Sequence, residues 1–273
     1  MGQGRGDLRA IRQGNYRSEE LTWQYPWQYS AGCSFHGSPD GDATDREEAM
    51  KSRVPVAVAG FALGLLLAAA LRLQTGSTGT FAWLSTLATP LYVAVTAIAA
   101  ISLHRLGVPL NGFGFRTSLP PLAIVALALV GVGCLRMYGV FLEPVWERVL
   151  GSERDLTRFA QVGGSVANLM AVLALSWTFA AFGEEFAFRI LLMRGIAFSL
   201  GDNRVAFVVA LLLQALIFGL VHAYQGPAGI VGALSSGLIL GALTWAARGT
   251  IWPAALAHGI NNTIGLLQLY LAD

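Results

Sequence analysis

The chain has 273 residues, of which 55% are hydrophobic and 12% are charged, and its formal net charge is +2. Soluble domains carry about a quarter charged residues, so the composition argues against an ordinary soluble domain and favours a membrane protein. A net charge so close to zero gives no basis for nucleic-acid binding, and we expect no such partner.

Residues 1–53 are polar and loop-like, and they contain the Gly-, Ser- and Asp-rich run "GSPDGDATDREE". A segment of this composition cannot bury enough apolar surface to offset the entropy of ordering it. The sequence therefore predicts a disordered polar leader over 1–53. It predicts N-terminal transmembrane helices over 54–160 and a helical core that holds the candidate site over 161–273.

Seven apolar segments follow the leader, each near the roughly 20 residues that a helix needs to cross a bilayer. They cover 54–71, 80–103, 119–142, 165–183, 204–222, 228–247 and 251–271. The fold class predicted is an all-α polytopic membrane protein with about seven transmembrane helices in a lipid bilayer. Small-xxx-small patterns at Gly60–Gly64 and Gly237–Gly241 indicate close helix packing, either within the chain or between copies.

Basic residues near the ends of these segments predict the orientation of the chain, because cytoplasmic loops are enriched in Lys and Arg. If the N-terminus is cytoplasmic, one side holds Lys51, Arg53, Arg105, Arg116, Arg194, Arg204 and Arg248. The turn "HAYQGPAG" has neither residue type, as expected for the other side. The loop 143–158 is the exception, although its arginines are offset by acidic residues.

Ionisable residues inside membrane spans are rare and by default mark function. Here they are Arg136, Glu184, Glu185, Arg189, His222 and His258, to which Asn261 and Asn262 add polar amides. All except Arg136 lie in the C-terminal half. A proton-coupled transporter remains an alternative, but it predicts polar residues scattered along several spans. One local site fits this distribution better.

Helix geometry divides the two adjacent glutamates. Glu185 and Arg189 are spaced i, i+4 with the acid first, the favourable order for an ion pair. Glu184 points about 100° away from Glu185. Two bare carboxylates side by side would repel each other, and one would take up a proton. One glutamate is therefore expected to be neutralised locally, while the other is free to act.

The heights of the candidate residues can be compared through the turn at 200–204. Glu184 lies 16 residues before Leu200 and His222 lies 18 residues after Arg204, which places them roughly 24 and 27 Å above the turn. His258 is seven residues past Ile251, or roughly 10 Å into the last span. The three residues can meet only if the 200–204 turn protrudes well beyond the start of that span.

The strings "EEFAFR", "FGLVH" and "HGINN" occur in this order and resemble the EExxxR, FxxxH and HxxxN motifs of the CPBP family. This family comprises CAAX proteases and bacteriocin-processing enzymes, including the type II CAAX prenyl endopeptidases. The residues that match are Glu184, Glu185, Arg189, Phe218, His222, His258 and Asn262. The resemblance covers about residues 165–270. One departure is "FRI" where many members have "FRG", which bears on local helix packing.

The resemblance implies an intramembrane endopeptidase of peptide or protein substrates in the plasma membrane of a bacterium. It assigns Glu184 as the base that activates water and His222 as a residue that orients this water. His258 and Asn262 would stabilise the oxyanion on the scissile carbonyl. Glu185 and Arg189 would support the site, with Phe218 packed beside His222. We expect a small polar cavity open to the cytoplasmic face.

Cofactor use and activity stay open at this point. Glu184, His222 and His258 could hold a divalent metal such as zinc with an open fourth position. They could equally run a metal-free glutamate mechanism. No HExxH motif is present, so the sequence does not choose between the two. A further alternative is a catalytically silent immunity or scaffold protein of the same fold. That reading predicts the loss of a motif residue, and none is lost.

Overall fold

The computed structural model describes residues 42–73 and 86–272, with the side chains of 42–47 and 110–111 left undescribed. The regular structure in these ranges is helical, and no strand occurs within them. This architecture confirms the predicted all-α class.

The α-helices of the described residues follow one another along the chain. They are α1 (Asp42–Arg72), α2 (Ala88–Arg105), α3 (Pro121–Met137), α4 (Glu143–Leu150), α5 (Val166–Leu175), α6 (Arg194–Ser199), α7 (Arg204–Leu220), α8 (Gly226–Ala246) and α9 (Trp252–Leu271). A π-helical turn, Tyr138–Leu142, joins α3 to α4. Two more, Ser176–Glu184 and Phe186–Met193, join α5 to α6, so that 166–199 forms one continuous helix.

Within the described residues, four helices are long and apolar enough to cross a membrane: Glu48–Arg72, Pro121–Leu150, Val166–Ser199 and Ala223–Ala246. Arg204–Leu220 is apolar but shorter. Helix α9 has the length to span, but it includes a histidine, two adjacent asparagines and a glutamine. These polar residues lower its hydropathy. The chain is thus an integral membrane protein whose last helix is made more polar by candidate site residues.

The leader predicted over 1–53 overlaps the start of α1. Residues 1–41 lie outside the described part of the chain, but α1 begins at Asp42.

Gly237 and Gly241 of α8 face α7 within the same chain. A Cβ at Gly237 would lie 2.9 Å from Ala215 Cα, and one at Gly241 would lie 2.4 Å from Leu211 Cδ1. Gln214 of α7 donates a hydrogen bond of 2.8 Å to the Gly237 carbonyl. The Gly237–Gly241 pattern therefore serves packing between two helices of this chain.

The continuous helix 166–199 lies at the centre of the fold. Its residues 187–193 are all buried, and they contact α1, α2, α7 and α8. Ile190 occupies the position where "FRG" would have glycine, and it fills space beside Gly114, where a Cβ would lie 2.6 Å from Ile190 Cδ1. At Gly195 a Cβ would lie 2.5 Å from Val58 Cγ2. Gly195 thus lets α1 approach this helix closely.

Candidate active site

The two glutamates lie at the junction of the π-helical segments Ser176–Glu184 and Phe186–Met193. Regular α-helix was expected here. π-Helical turns are rare and occur frequently at functional sites, and nothing in the sequence pattern indicates them. The i, i+4 relationship of Glu185 and Arg189 nevertheless holds, since Arg189 Nε lies 3.0 Å from Glu185 Oε2.

Glu185 contacts a second partner from a distant part of the chain. His258 Nδ1 of α9 lies 2.8 Å from Glu185 Oε1, and both side chains of the Glu185–Arg189 pair have no exposed surface. The carboxylate therefore bridges a guanidinium on its own helix and an imidazole on α9. The sequence predicted only the first of these contacts.

The Arg189 guanidinium is covered by an aromatic ring. Its Cζ lies 4.6 Å from the centroid of Phe218. None of its three nitrogens makes an aligned hydrogen bond with the described residues, although Nε forms the 3.0 Å ion pair with Glu185 Oε2. A cation over an aromatic face gains electrostatic stabilisation that increases as water is removed. Phe188 packs edge-on against the same ring at 4.8 Å. Phe218 thus stabilises the buried cation as well as packing beside a histidine.

His222 follows the end of α7, with its ring 4.7 Å from that of Phe218. Its Nδ1 lies 2.8 Å from the Phe218 carbonyl oxygen. A carbonyl can only accept, so Nδ1 carries the hydrogen and Nε2 is left for other contacts. The His258 ring lies 6.4 Å from the same phenylalanine ring. Phe218 is therefore flanked by both candidate histidines.

Asn262 lies one turn beyond His258 on α9. Its Nδ2 donates to Ser176 Oγ at 3.2 Å, and Trp177 Nε1 donates to Thr263 Oγ1 at 3.1 Å. A Cβ at Gly259 would lie 2.5 Å from the Trp177 ring, so this glycine lets α9 approach the π-helical segment closely. The amide of Asn262 is held by one hydrogen and keeps its second for another acceptor.

Glu184 is half-buried and makes no hydrogen bond or ion pair with any described residue. Its charged neighbours are His258, Arg72, Glu185 and Arg189, each close enough to act on its carboxylate. This differs from Glu185, whose two oxygens are both engaged. The division of the pair into one occupied and one unoccupied carboxylate matches the expectation from helix geometry.

Three neighbours of the site were not singled out from the sequence. Ser176 binds Asn262, Arg72 lies within electrostatic range of Glu184, and Tyr92 of α2 has a buried hydroxyl near both glutamates. Ser176 lies eight residues before Glu184 in an apolar run, where a polar residue is a weak signal. Arg72 and Tyr92 come near the glutamates only because α1 and α2 pack beside the central helix.

The site lies toward the end of the molecule formed by the α7–α8 turn. The His222 ring is 5.8 Å from that of Tyr224, and Arg72 and Arg158 lie over the Tyr224 ring at 5.2 and 4.8 Å. Arg72 ends α1, so this end is opposite to Lys51. If α1 crosses the bilayer, a site open to the cytoplasm would place Lys51 on the other side.

A three-ligand metal site is not formed by the described residues. They include no group of three or more His, Cys, Asp or Glu side chains placed to hold an ion, and Glu185 and His258 are directed at each other. The donor set therefore does not fit the zinc arrangement considered from the sequence, and no step below passes through a metal.

Residues 166–264 match the protein family described as type II CAAX prenyl endopeptidase Rce1-like. All seven motif residues fall inside this range. No curated protein and no solved structure matches the chain. The matched region begins at α5 and ends within α9, so it contains the helices that build the candidate site.

Proposed function

We propose, from the membership of residues 166–264 in the Rce1-like family of CAAX proteases, that Glu184 of this membrane protein activates water for peptide-bond hydrolysis. The family is one of proteases, which makes peptide cleavage the general activity. We further propose the roles of the individual residues, the substrate and the orientation in the membrane.

The contact between Glu185 and His258 is the observation that supports the proposal most strongly. These residues are 73 positions apart and lie 2.8 Å from each other in a part of the fold that disfavours charge. A buried carboxylate is costly unless it is paired and hydrogen-bonded. Glu185 is satisfied in this way, whereas Glu184 beside it is left free to accept a proton.

The proposed first step is attack by water on the scissile carbonyl carbon. The Glu184 carboxylate accepts one proton as the water oxygen forms the new C–O bond, and the carbonyl π electrons move to oxygen. His222 Nε2, unprotonated in the neutral ring because Nδ1–H donates to Phe218, accepts a hydrogen bond from the same water. When the C–N bond breaks, Glu184 returns its proton to the amine that leaves.

His258 and Asn262 are proposed to stabilise the oxyanion of the tetrahedral intermediate. Nδ1 of His258 is engaged by Glu185, so Nε2 is the ring nitrogen left for substrate. A proton on Nε2 lets it donate to the oxyanion, and the carboxylate of Glu185 balances the positive charge on the ring. The second amide hydrogen of Asn262 supplies another donor. Fixed donors of this kind act strongly where water is scarce.

The experiment measures cleavage by purified protein in liposomes. The probes are two internally quenched peptides that end in a CAAX sequence, one farnesylated and one unmodified. We expect wild-type protein to cleave at least one of them. Glu184→Gln keeps the shape and hydrogen-bonding capacity of the side chain, so it should fold normally while kcat falls at least ~10²-fold through loss of the base.

The matched control is Glu48→Gln, which removes an exposed carboxylate of α1 and should leave kcat unchanged. Unaltered cleavage by Glu184→Gln would refute the role of this residue. Folded wild-type protein that cleaves neither peptide would refute the proposed CAAX peptidase activity and favour a catalytically silent scaffold.

We also propose that the chain lies in the plasma membrane of a bacterium with its N-terminus in the cytoplasm. Arg194 contacts Gly112 and Gly107 lies beside Met50, so several basic segments gather at one end as the positive-inside rule requires. The site then lies nearer the opposite face. A tag on the N-terminus should resist protease added to intact spheroplasts, and its digestion would reverse the orientation.

A further inference from the structure

Tyr92 presents a phenol hydroxyl to the candidate site from α2, outside the region that matches the protease family. Its oxygen is buried and has no hydrogen-bond partner among the described residues. A buried hydroxyl without a partner is costly, and phenylalanine would fill the same space without that cost. Packing alone therefore does not explain why the residue at position 92 carries a hydroxyl.

The position of the hydroxyl is defined by Gly183, the residue before Glu184. A Cβ on Gly183 would lie 3.8 Å from the Tyr92 oxygen, so the phenol tip packs directly against the backbone that presents the glutamate. The charged groups that act on the Tyr92 hydroxyl are Glu184, Glu185, Arg189 and Arg72. The tip thus points into the charged cluster and away from lipid.

Only one of the two nearby carboxylates is available to accept a hydrogen bond from the Tyr92 hydroxyl. Glu185 is occupied by Arg189 and His258, whereas Glu184 has no hydrogen-bond partner among the described residues. A phenol hydroxyl donates readily to a carboxylate, and such charge-assisted bonds are stronger than neutral ones. A hydrogen bond between the Tyr92 hydroxyl and the Glu184 carboxylate would satisfy both groups at once.

We propose that Tyr92 is a positioning residue that donates a hydrogen bond to the Glu184 carboxylate and keeps it directed at the water it activates. The inference rests on the proposed function of Glu184. It assigns to α2, a helix outside the matched region, a part in the hydrolytic site. Tyr92 exchanges no proton in the reaction, and its hydroxyl returns to the same state after each turnover.

The test compares Tyr92→Phe with Tyr138→Phe in liposomes, using whichever farnesylated or unmodified CAAX peptide the wild-type protein cleaves. Tyr138 is a second phenol with a buried hydroxyl, but its charged neighbours are Glu143, Arg154 and Glu147. We expect Tyr92→Phe to lower kcat by about 10- to 100-fold, toward the range for loss of one catalytic hydrogen-bond donor. KM and the unfolding temperature should stay at wild-type values, and Tyr138→Phe should match wild type throughout.

The outcomes separate this inference from the proposed function. Wild-type cleavage with unchanged kcat in Tyr92→Phe overturns the role of Tyr92 and leaves Glu184 as the base. A Tyr92→Phe protein that does not fold assigns the hydroxyl to stability, and a rise in KM alone assigns it to substrate binding; both overturn the inference. Absence of cleavage by wild type overturns the proposed function and the inference that rests on it.

Discussion

His258 Nδ1 and Glu185 Oε1 lie 2.8 Å apart, and this contact joins the last helix of the chain to the central helix. Because Arg189 holds the other oxygen of the same carboxylate, Glu185 couples the orientation of a candidate catalytic imidazole to a buried ion pair. A residue expected to serve only its own helix therefore fixes the geometry between two helices.

Removing either member of the buried pair should destabilise the fold. Arg189→Ala leaves the Glu185 carboxylate facing only His258, and Glu185→Gln leaves the guanidinium without its ion-pair partner, so each should cost about 3–5 kcal/mol. Thermal unfolding in detergent and the yield of folded protein measure the loss. Arg148→Ala, at an exposed arginine of α4, is the control and should shift stability by less than about 0.5 kcal/mol. Wild-type unfolding of Arg189→Ala with lost cleavage would instead place Arg189 in the chemistry.

The hydrogen bond from Asn262 to Ser176 should be visible in the kinetics. Asn262→Ala is expected to lower kcat by about 10²–10³-fold, as for loss of one oxyanion donor. Ser176→Ala should cost only about 3- to 10-fold, because it frees the amide without removing it. Thr178→Ala, which deletes a hydroxyl bonded to its own helix, should have no effect on kcat. In the double variant Ser176→Ala should add nothing to Asn262→Ala, and additive losses would show that the two residues act separately.

The helical segments and the motif residues could be predicted from the sequence because each depends on local spacing. Apolar runs of membrane length give helices, and the i, i+4 spacing of Glu185 and Arg189 gives their ion pair. The contact of Glu185 with His258 and the approach of Tyr92 could not be predicted, since they depend on which helices pack together. The π-helical turns on either side of Glu185 leave no pattern in the apolar periodicity.

The height of α9 illustrates the same limit. Counting residues from the 200–204 turn placed His258 too low to meet Glu184 and His222. In the structure Ile251 N donates to the Gly114 carbonyl, and Gly114 packs on Ile190, so α9 begins well above that turn. The 200–204 turn therefore extends beyond the start of α9. Residue counting set this as the condition for a site shared by Glu184, His222 and His258. The hydrogen bond between residues 114 and 251 therefore sets the height at which α9 begins.

Close packing of α7 and α8 should make Gly237 sensitive to a single methyl group. Its Cβ would lie 2.9 Å from the backbone of Ala215, so Gly237→Ala should destabilise by about 1–3 kcal/mol through overpacking. Gly133 is a helical glycine with open space around its Cβ position. There the same change should stabilise by up to ~1 kcal/mol, the helix propensity difference. Thermal unfolding compares the two, and equal shifts would mean that α7 and α8 are not packed so closely.

Two aspartates outside the membrane spans should give opposite pH dependences of stability. Burial raises the pKa of Asp202 despite the opposing charge of Arg194, and its Oδ2 has no hydrogen-bond partner among the described residues. The folded state then holds this proton more tightly than the unfolded state, so stability falls as pH rises above the ordinary value of about 3.9. Asn tolerates the left-handed φ of 50° at this position. Asp202→Asn should therefore raise the unfolding temperature more at pH 7 than at pH 4.

Asp155 supplies the control of opposite sign. Hydrogen bonds from the Thr157 hydroxyl and backbone N–H lower the pKa of Asp155, with donor distances of 2.6 and 2.9 Å to Oδ1. A lowered pKa contributes stability above the unfolded value that is lost as pH falls through the folded one. Asp155→Asn should therefore lower the unfolding temperature at pH 7, with a difference that shrinks toward pH 3. Shifts of the same sign at pH 7 for both variants would show that at least one carboxyl does not have the environment described.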